Sequence, residues 1–207
     1  MLSCPVRRET QHGRMCNEIR RRIALGQIRD DFSEIRIPLH FPEGLPNLAA
    51  AESVRITDAT PIVRADAEGS PELVVRRWSW PGPGGKPVYN FRSEGRRFAA
   101  GRCLIPADGF YEFTANTDAK AKRKHKWLFT KAGEPWFAIA GLWRSIDPGE
   151  AFTMLTAEPG QDIAPYHNRQ IVIIERRDWS TWLGPGEDVG HLLAPLPAGS
   201  LEVEQIC

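Results

Sequence analysis

Residues Arg102-Cys103-Leu104-Ile105-Pro106-Ala107-Asp108-Gly109-Phe110-Tyr111-Glu112-Phe113 decide the fold class. The first five form an apolar strand. Asp108-Gly109 is a turn signal, and Phe110 to Phe113 resume as a strand rich in aromatic residues. A strand, a corner and a second strand within twelve residues point to sheet rather than to a helical bundle.

The flanking sequence repeats the theme. Upstream, Leu73 to Trp78 reads as a strand that ends hard at Pro81-Gly82-Pro83-Gly84-Gly85. Asp58 to Arg64 reads as an edge strand, because Pro61 cannot donate to a ladder. Asn17 to Ala24 carries Ile19 and Ile23 four apart amid arginines, which predicts a short amphipathic helix. Downstream, Trp127-Leu128-Phe129, Trp136 to Ala140 and Phe152 to Thr156 stand at hairpin spacing across Lys131-Ala132-Gly133-Glu134 and Asp147-Pro148-Gly149-Glu150. Asp162 to Tyr166 suits one helical turn, and Ile171 to Ile174 a buried strand. Arg177 to Leu183 reads as a C-terminal helix stopped by Gly184-Pro185-Gly186. With 17 prolines and 18 glycines spread along the chain, many short elements joined by turns are expected. No repeat and no domain boundary emerge. The expected fold is one α+β domain, mostly antiparallel sheet curled into a barrel-like core, with a few short helices.

Bulk properties exclude several classes. In 207 residues, 27 Lys and Arg balance 26 Asp and Glu for a net charge of +1, so nucleic-acid affinity would have to come from a local basic patch. The basic run Lys120 to Lys126 beside Trp127 suits a solvated hairpin tip, or a phosphate-tracking surface with a stacking aromatic. No window reaches the length of a membrane span and the first residues lack a signal-peptide core, so a soluble, cytoplasmic monomer is expected. Cys4, Cys16, Cys103 and Cys207, with the five histidines, fall at no metal-ligand spacing, so neither metal nor cofactor is expected. Cys103 reads as packing.

Four segments carry chemistry together: Met15-Cys16, Asn90-Phe91-Arg92-Ser93-Glu94, the run from Arg102 to Phe113, and His167-Asn168-Arg169. Singly they are unremarkable, since a lone glutamate on a strand is usually an exposed charge and a lone histidine usually structural. In this order and spacing they resemble the SRAP (SOS-response-associated peptidase) family pattern: Met-Cys-Gly-Arg, Asn-Ala-Arg-x-Glu, Arg-Cys-Leu-Ile-Pro-Ala-x-Gly-Phe-Tyr-Glu-Trp and His-x-Arg-Met-Pro. Arg77-Trp78, Ala140 to Trp143 and Phe152 to Thr156 support the likeness, which extends from Met15 to about Ile174. The resemblance implies covalent capture of abasic sites in single-stranded DNA by a cysteine at the mature N-terminus. It also implies catalytic roles for Cys16, Asn90, Glu112 and His167. The DNA-binding set it implies is Arg77, Trp78, Arg92, Arg102, Phe113 and Arg169, with Arg92 and Arg169 on flanking phosphates and Phe113 in place of a tryptophan.

That chemistry has a physical logic. An opened abasic sugar exposes an aldehyde, and an N-terminal cysteine offers an amine and a thiol on adjacent carbons. Imine formation followed by thiol addition closes a thiazolidine, and one residue holding both nucleophiles gains a large effective concentration. An α-amine with a pKa of about 7.7–8.0 is substantially neutral near pH 7. Glu112, partly buried, would act as acid or base, His167 would promote ring opening, and Asn90 would orient the aldehyde.

The chain departs from the pattern in several places, among them Gln170-Ile171 for Met-Pro and Gly95 where Thr is common, and two departures bear directly on the reaction. Residues 1–15 precede Cys16 and leave it no free amine, so this extension is either upstream of the true start at Met15 or a propeptide removed by the site itself; residues 16–207 form the domain. Asn17-Glu18 replaces Gly-Arg, adding bulk beside the nucleophile and an anion where the pattern has a cation, which is expected to weaken DNA engagement. An autocatalytic peptidase without DNA chemistry, and a single-stranded-DNA binder lacking the reactive amine, remain open as alternatives.

Overall fold

The computed structural model describes residues 16–116, 123–186 and 188–206. In chain order the elements are β1 (Glu18–Arg21), α1 (Leu25–Glu34), β2 (Ala51–Arg55), β3 (Ala59–Ala65), β4 (Pro71–Trp78), β5 (Trp80–Pro81), β6 (Pro87–Val88), β7 (Asn90–Arg92), β8 (Arg102–Ala107) and β9 (Gly109–Thr114). They continue with β10 (His125–Lys131), β11 (Phe137–Ser145), β12 (Glu150–Ala157), β13 (Gln170–Ile171), β14 (Ile173–Ile174), α2 (Trp179–Leu183) and β15 (Leu201–Gln205).

Strands β12, β4, β3, β8 and β11 pair in a ring that closes through the β11–β12 hairpin, giving a five-stranded barrel. One seam of the ring, β12 beside β4, is parallel; the other seams are antiparallel. A second sheet in the order β15-β10-β9-β1-β2 packs against it. The expected single barrel-like α+β domain is therefore the observed one.

The deciding stretch runs through both sheets. Residues 102–107 lie in the barrel as β8, and residues 109–114 lie in the second sheet as β9. Asp108 is the corner between them: its carboxylate accepts from Arg20 Nε and Arg22 Nε, each at 3.1 Å, and from the Arg22 backbone N–H at 3.1 Å.

Alternation along the barrel strands divides the apolar residues between two cores. Val63, Leu73, Leu104, Ala140 and Leu155 belong to one, which α1 and α2 cover with Ile28, Phe32, Trp179 and Trp182. Phe32 stacks on Trp179 at 4.7 Å between ring centroids. Ile62, Val74, Ile105, Ile139 and Met154 belong to the other, against Cys16, Ile19, Phe110 and Phe129 of the second sheet and its approach. Cys103 is fully buried there, as expected.

Three local expectations are corrected. Asn17 to Ala24 is not a helix: residues 18–21 form β1, paired with β2 and β9, and Ile19 and Ile23 enter different cores instead of sharing a helical stripe. The helix of this region is α1, one turn later, where Leu25, Ile28 and Phe32 supply the stripe. Trp127 to Phe129 and Trp136 to Ala140 do not form a hairpin with each other; β10 pairs with β9 and β15, and β11 pairs with β8, β12 and β14. Strand β3 lies inside the ring rather than at an edge, but it pairs with β8 only at Val63 and Arg64. The same register carried further sets Pro61 opposite Pro106, two residues without N–H groups, so the ladder stops there.

Candidate active site

Cys16 sits just before β1, 1% exposed. Its backbone N–H donates to Glu112 Oε1 at 3.0 Å, and its carbonyl accepts from Asn90 Nδ2 at 3.1 Å. Its thiol donates to the Glu18 carbonyl at 3.7 Å. Three separate pieces of chain thus meet at one residue: β9 contributes Glu112, β7 contributes Asn90, and β1 begins beside the thiol. Parallel pairing with β12, Asn90 opposite Met154, brings β7 to this position.

Glu112 is also 1% exposed. Its position in β9 follows from alternation: Phe110 and Glu112 face the core shared with the barrel, while Tyr111 and Phe113 face the other way. Burial pushes its pKa up to about 8, against the opposing effect of N–H groups from Cys16 and Phe113. Glu112 Oε2 has no hydrogen-bond partner among the described residues, so a proton held there points at nothing but the site. Burial likewise raises the Cys16 thiol well above its ordinary value, with the charges of Glu112 and Glu18 adding to the effect.

His167 ends the turn after Gly160, where its backbone N–H donates to the Ile163 carbonyl at 2.9 Å. His167 Nδ1 lies 3.0 Å from the Arg169 backbone nitrogen and 3.2 Å from the Arg169 carbonyl, which ties the ring to its own turn. Tyr166, its neighbour in sequence, packs edge-on against Trp127 at 4.8 Å and Phe129 at 5.2 Å. Trp127 is the direct cross-strand partner of Glu112, so this aromatic contact seats the His167 turn against the strand pair that carries Glu112. Sequence reasoning gave Trp127 and Tyr166 no such role; their link depends on the register of β9 and β10.

The six residues of the expected DNA-binding set have different fates. Arg77 and Arg92 are exposed and Phe113 is half-buried. Trp78 is a core residue: it is fully buried, stacks on Phe152 and donates its Nε1–H to the Tyr89 carbonyl at 2.9 Å, which leaves no ring face for a base. Arg102 is a structural clamp. Its buried guanidinium donates to the carbonyls of Phe98 at 2.5 Å, Trp182 at 2.7 Å and Gly186 at 2.6 Å, and to that of Gly184. It ties β8 to the end of α2 and has no free edge for a phosphate. Arg169 is buried as well, its Nη2 donating to Glu94 Oε2 and the Thr156 carbonyl at 2.8 and 2.9 Å. It joins the His167 turn to the loop after β7. Glu94 belongs to the segment singled out in the sequence, but its pairing with Arg169 is visible only in the folded chain.

Glu18 also corrects an expectation. It offers no bare anion to DNA: it is 4% exposed, with Lys126 Nζ 2.7 Å from its Oε1. Gln170, another departure from the pattern, is buried at the start of β13 and accepts the Gly160 N–H at 2.5 Å. Of the basic run from Lys120 to Lys126, residues 120–122 lie outside the described residues, as does the extension 1–15.

Beside the site, a cleft of about 930 Å³ runs between residues 93–98 and 188–195, lined in part by Glu94, Arg96, Arg97 and His191. Among the described residues no group of His, Cys, Asp and Glu could hold a metal ion, and no helix is long and apolar enough to cross a membrane.

A buried cysteine thus stands between a buried carboxyl and a carboxamide, on a barrel flanked by a second sheet. The sequence profile of the family described as SOS response associated peptidase (SRAP) matches residues 15–207, and the chain belongs to that family. Among curated proteins of Bacillus subtilis, the abasic site processing protein YoaM is 28% identical over 130 residues, covering 58% of this chain and 54% of that protein. The abasic site processing protein YobE is 30% identical over 114 residues, 51% of each. The chain thus matches about half the length of these relatives. The fold is shared with a protein from Bacteroides thetaiotaomicron at a TM-score of 0.71 and 16% identity, covering 93% of this chain and 92% of that one. A phage-related protein from Bordetella bronchiseptica gives 0.70 and 20% identity, covering 92% and 94%.

Proposed function

We propose that this chain captures abasic sites in single-stranded DNA covalently, once Cys16 is its N-terminal residue. The observation that carries the reading is the hydrogen bond from Cys16 N to Glu112 Oε1, which sets the future amine beside a buried, neutral carboxyl. The freed amine attacks the sugar aldehyde and water leaves, giving an imine. The thiol then adds to the imine carbon as its proton passes to the nitrogen, closing a thiazolidine with net loss of one water. Glu112 moves the protons, Asn90 holds the Cys16 carbonyl, and His167 assists ring opening. Abasic-site processing in the names of the relatives, and family membership, support the substrate. Exposed Arg92 supports a path for phosphates.

A second reading, self-processing, has its own support. Glu112 lies 3.0 Å from the nitrogen that would leave as an amine if the Met15–Cys16 peptide bond were cut. Cleavage at that bond would remove residues 1–15 and arm the site; a start at Met15 with removal of that methionine would do the same. The domain proper is then 16–207.

Intact-mass spectrometry before and after incubation with an abasic oligonucleotide tests both. The expected result is a chain beginning at Cys16 and an adduct equal to protein plus DNA less one water, absent in Cys16→Ala. A full-length chain that binds DNA without any adduct would leave a blocked precursor or a binding module, and a chain beginning at Cys16 that binds without adduct would leave the binding module alone.

A further inference from the structure

Glu18 is a buried carboxylate two residues from Cys16, and its main partner comes from two strands away. Lys126 Nζ lies 2.7 Å from Glu18 Oε1, whereas the other nearby cation, Arg55, is 3.9 Å away with a side chain 70% exposed. To reach Glu18 on β1, Lys126 crosses β9 from β10. Its ammonium lies 3.8 Å from the centroid of the Tyr111 ring and 5.8 Å from that of Phe113. The Tyr111 hydroxyl is itself anchored on the Glu52 carbonyl of β2 at 3.0 Å. A buried anion needs a partner, and a cation on an aromatic face is held in direction as well as in distance. Together these contacts strap β10, β9 and β1 on the face of the sheet opposite Glu112.

Cys16 hangs between the ends of that strap. Its thiol meets the Glu18 carbonyl, and its backbone nitrogen meets Glu112 on β9. We propose that Lys126 is a positioning residue for the reaction: acting through Glu18, it fixes the start of β1 against β9 and so keeps the nitrogen and sulfur of Cys16 beside the Glu112 carboxyl. This rests on the covalent-capture reading above. The charge of Glu18 also opposes thiolate formation at Cys16, together with Glu112 and behind burial as the leading cause. Lys126 and Arg55 offset that charge from β10 and β2.

The test uses the full chain and four variants: Lys126→Met, Lys126→Arg, Glu18→Gln and the Glu18→Gln/Lys126→Met double. Three quantities are read: the maximal adduct rate on abasic single-stranded DNA, the half-saturating DNA concentration, and, without DNA, the pH profile of Cys16 alkylation by iodoacetamide resolved by peptide mass. For Lys126→Met the expected result is a maximal rate lower by about tenfold, as for a small misplacement of a reacting group, at unchanged half-saturation. Its alkylation profile moves to higher pH; Lys126→Arg keeps both properties, and the double variant, lacking the stranded carboxylate, brings the profile back. If Lys126→Met only weakens half-saturation, leaving rate and profile alone, Lys126 is a phosphate contact and the proposal falls. It falls equally if the double variant shows the same profile as Lys126→Met. Absence of adduct from a parent chain whose mass begins at Cys16 would overturn covalent capture, and the alkylation profiles would still decide the positioning role.

Discussion

Glu112 accepts the Cys16 backbone N–H through one carboxyl oxygen while the other, Oε2, has no partner among the described residues. Burial raises the pKa of a carboxyl so placed to about 8, which favours its protonated form at neutral pH.

This arrangement predicts a rate effect. Glu112→Gln preserves shape and can still accept the Cys16 N–H, but it cannot transfer a proton. Adduct formation should slow by on the order of a hundredfold or more. The parent rate should have a limb set by the protonation of Glu112, whose pKa is about 8 while the Cys16 nitrogen is an amide and which a free amine there would lower. That limb should be missing from the pH–rate profile of the variant, which single-turnover assays across pH would check.

The same shift predicts a stability effect of opposite sense. A free glutamate ionises near pH 4.3, whereas folded Glu112 does so at about 8. Between those values the folded chain holds a proton that the unfolded chain has released, so this group lowers stability progressively as pH rises and does so in full above about 8. Glu112→Gln should therefore be more stable than the parent by a few kcal/mol near pH 8, with the gap closing near pH 4, at about 1.4 kcal/mol per pKa unit. Denaturant titrations at the two pH values measure it.

Arg102→Met should cost about 3 kcal/mol or more of stability, because four carbonyls at the β8–α2 junction lose their donor. DNA affinity per folded molecule should not change. Thermal unfolding paired with a binding isotherm separates the two effects, and a large loss of affinity with unaltered stability would restore Arg102 to the DNA surface.

Arg92 and Arg169 should behave differently although the family likeness puts both on phosphates. Arg92, exposed, should on replacement by alanine weaken binding to any single strand and reduce the salt-dependence slope by about 1. Arg169→Gln should leave that slope intact and slow adduct formation, because it frees the His167 turn from Glu94 and Thr156. Binding measured at several salt concentrations distinguishes them.

These contrasts mark what the sequence could tell. The strand–corner–strand run at 102–113, the β11–β12 hairpin and α2 were legible, because local pattern and final pairing agree there. Glu112 by itself read as an exposed charge, and only the family likeness marked it as a partly buried acid. The start of the chain was misleading: Ile19 and Ile23 fit a helical spacing by coincidence, each serving a separate core. The partner of β10 was hidden, since a turn signal such as Lys131 to Glu134 marks where a strand ends but not which sheet the next one joins. Arginine was the hardest residue to read. Arg92, Arg102 and Arg169 all sit in family motifs, and only the folded chain reveals whether a guanidinium meets solvent, carbonyls or a carboxylate.

The corner at Asp108 bears on how the site operates. One uninterrupted stretch of backbone belongs first to the barrel and then to the sheet carrying Glu112, with Arg20 and Arg22 pinning the bend from β1 and the residue after it. A corner pinned twice from one neighbouring segment is a weld, not a hinge, so the two sheets were aligned with each other when the chain folded.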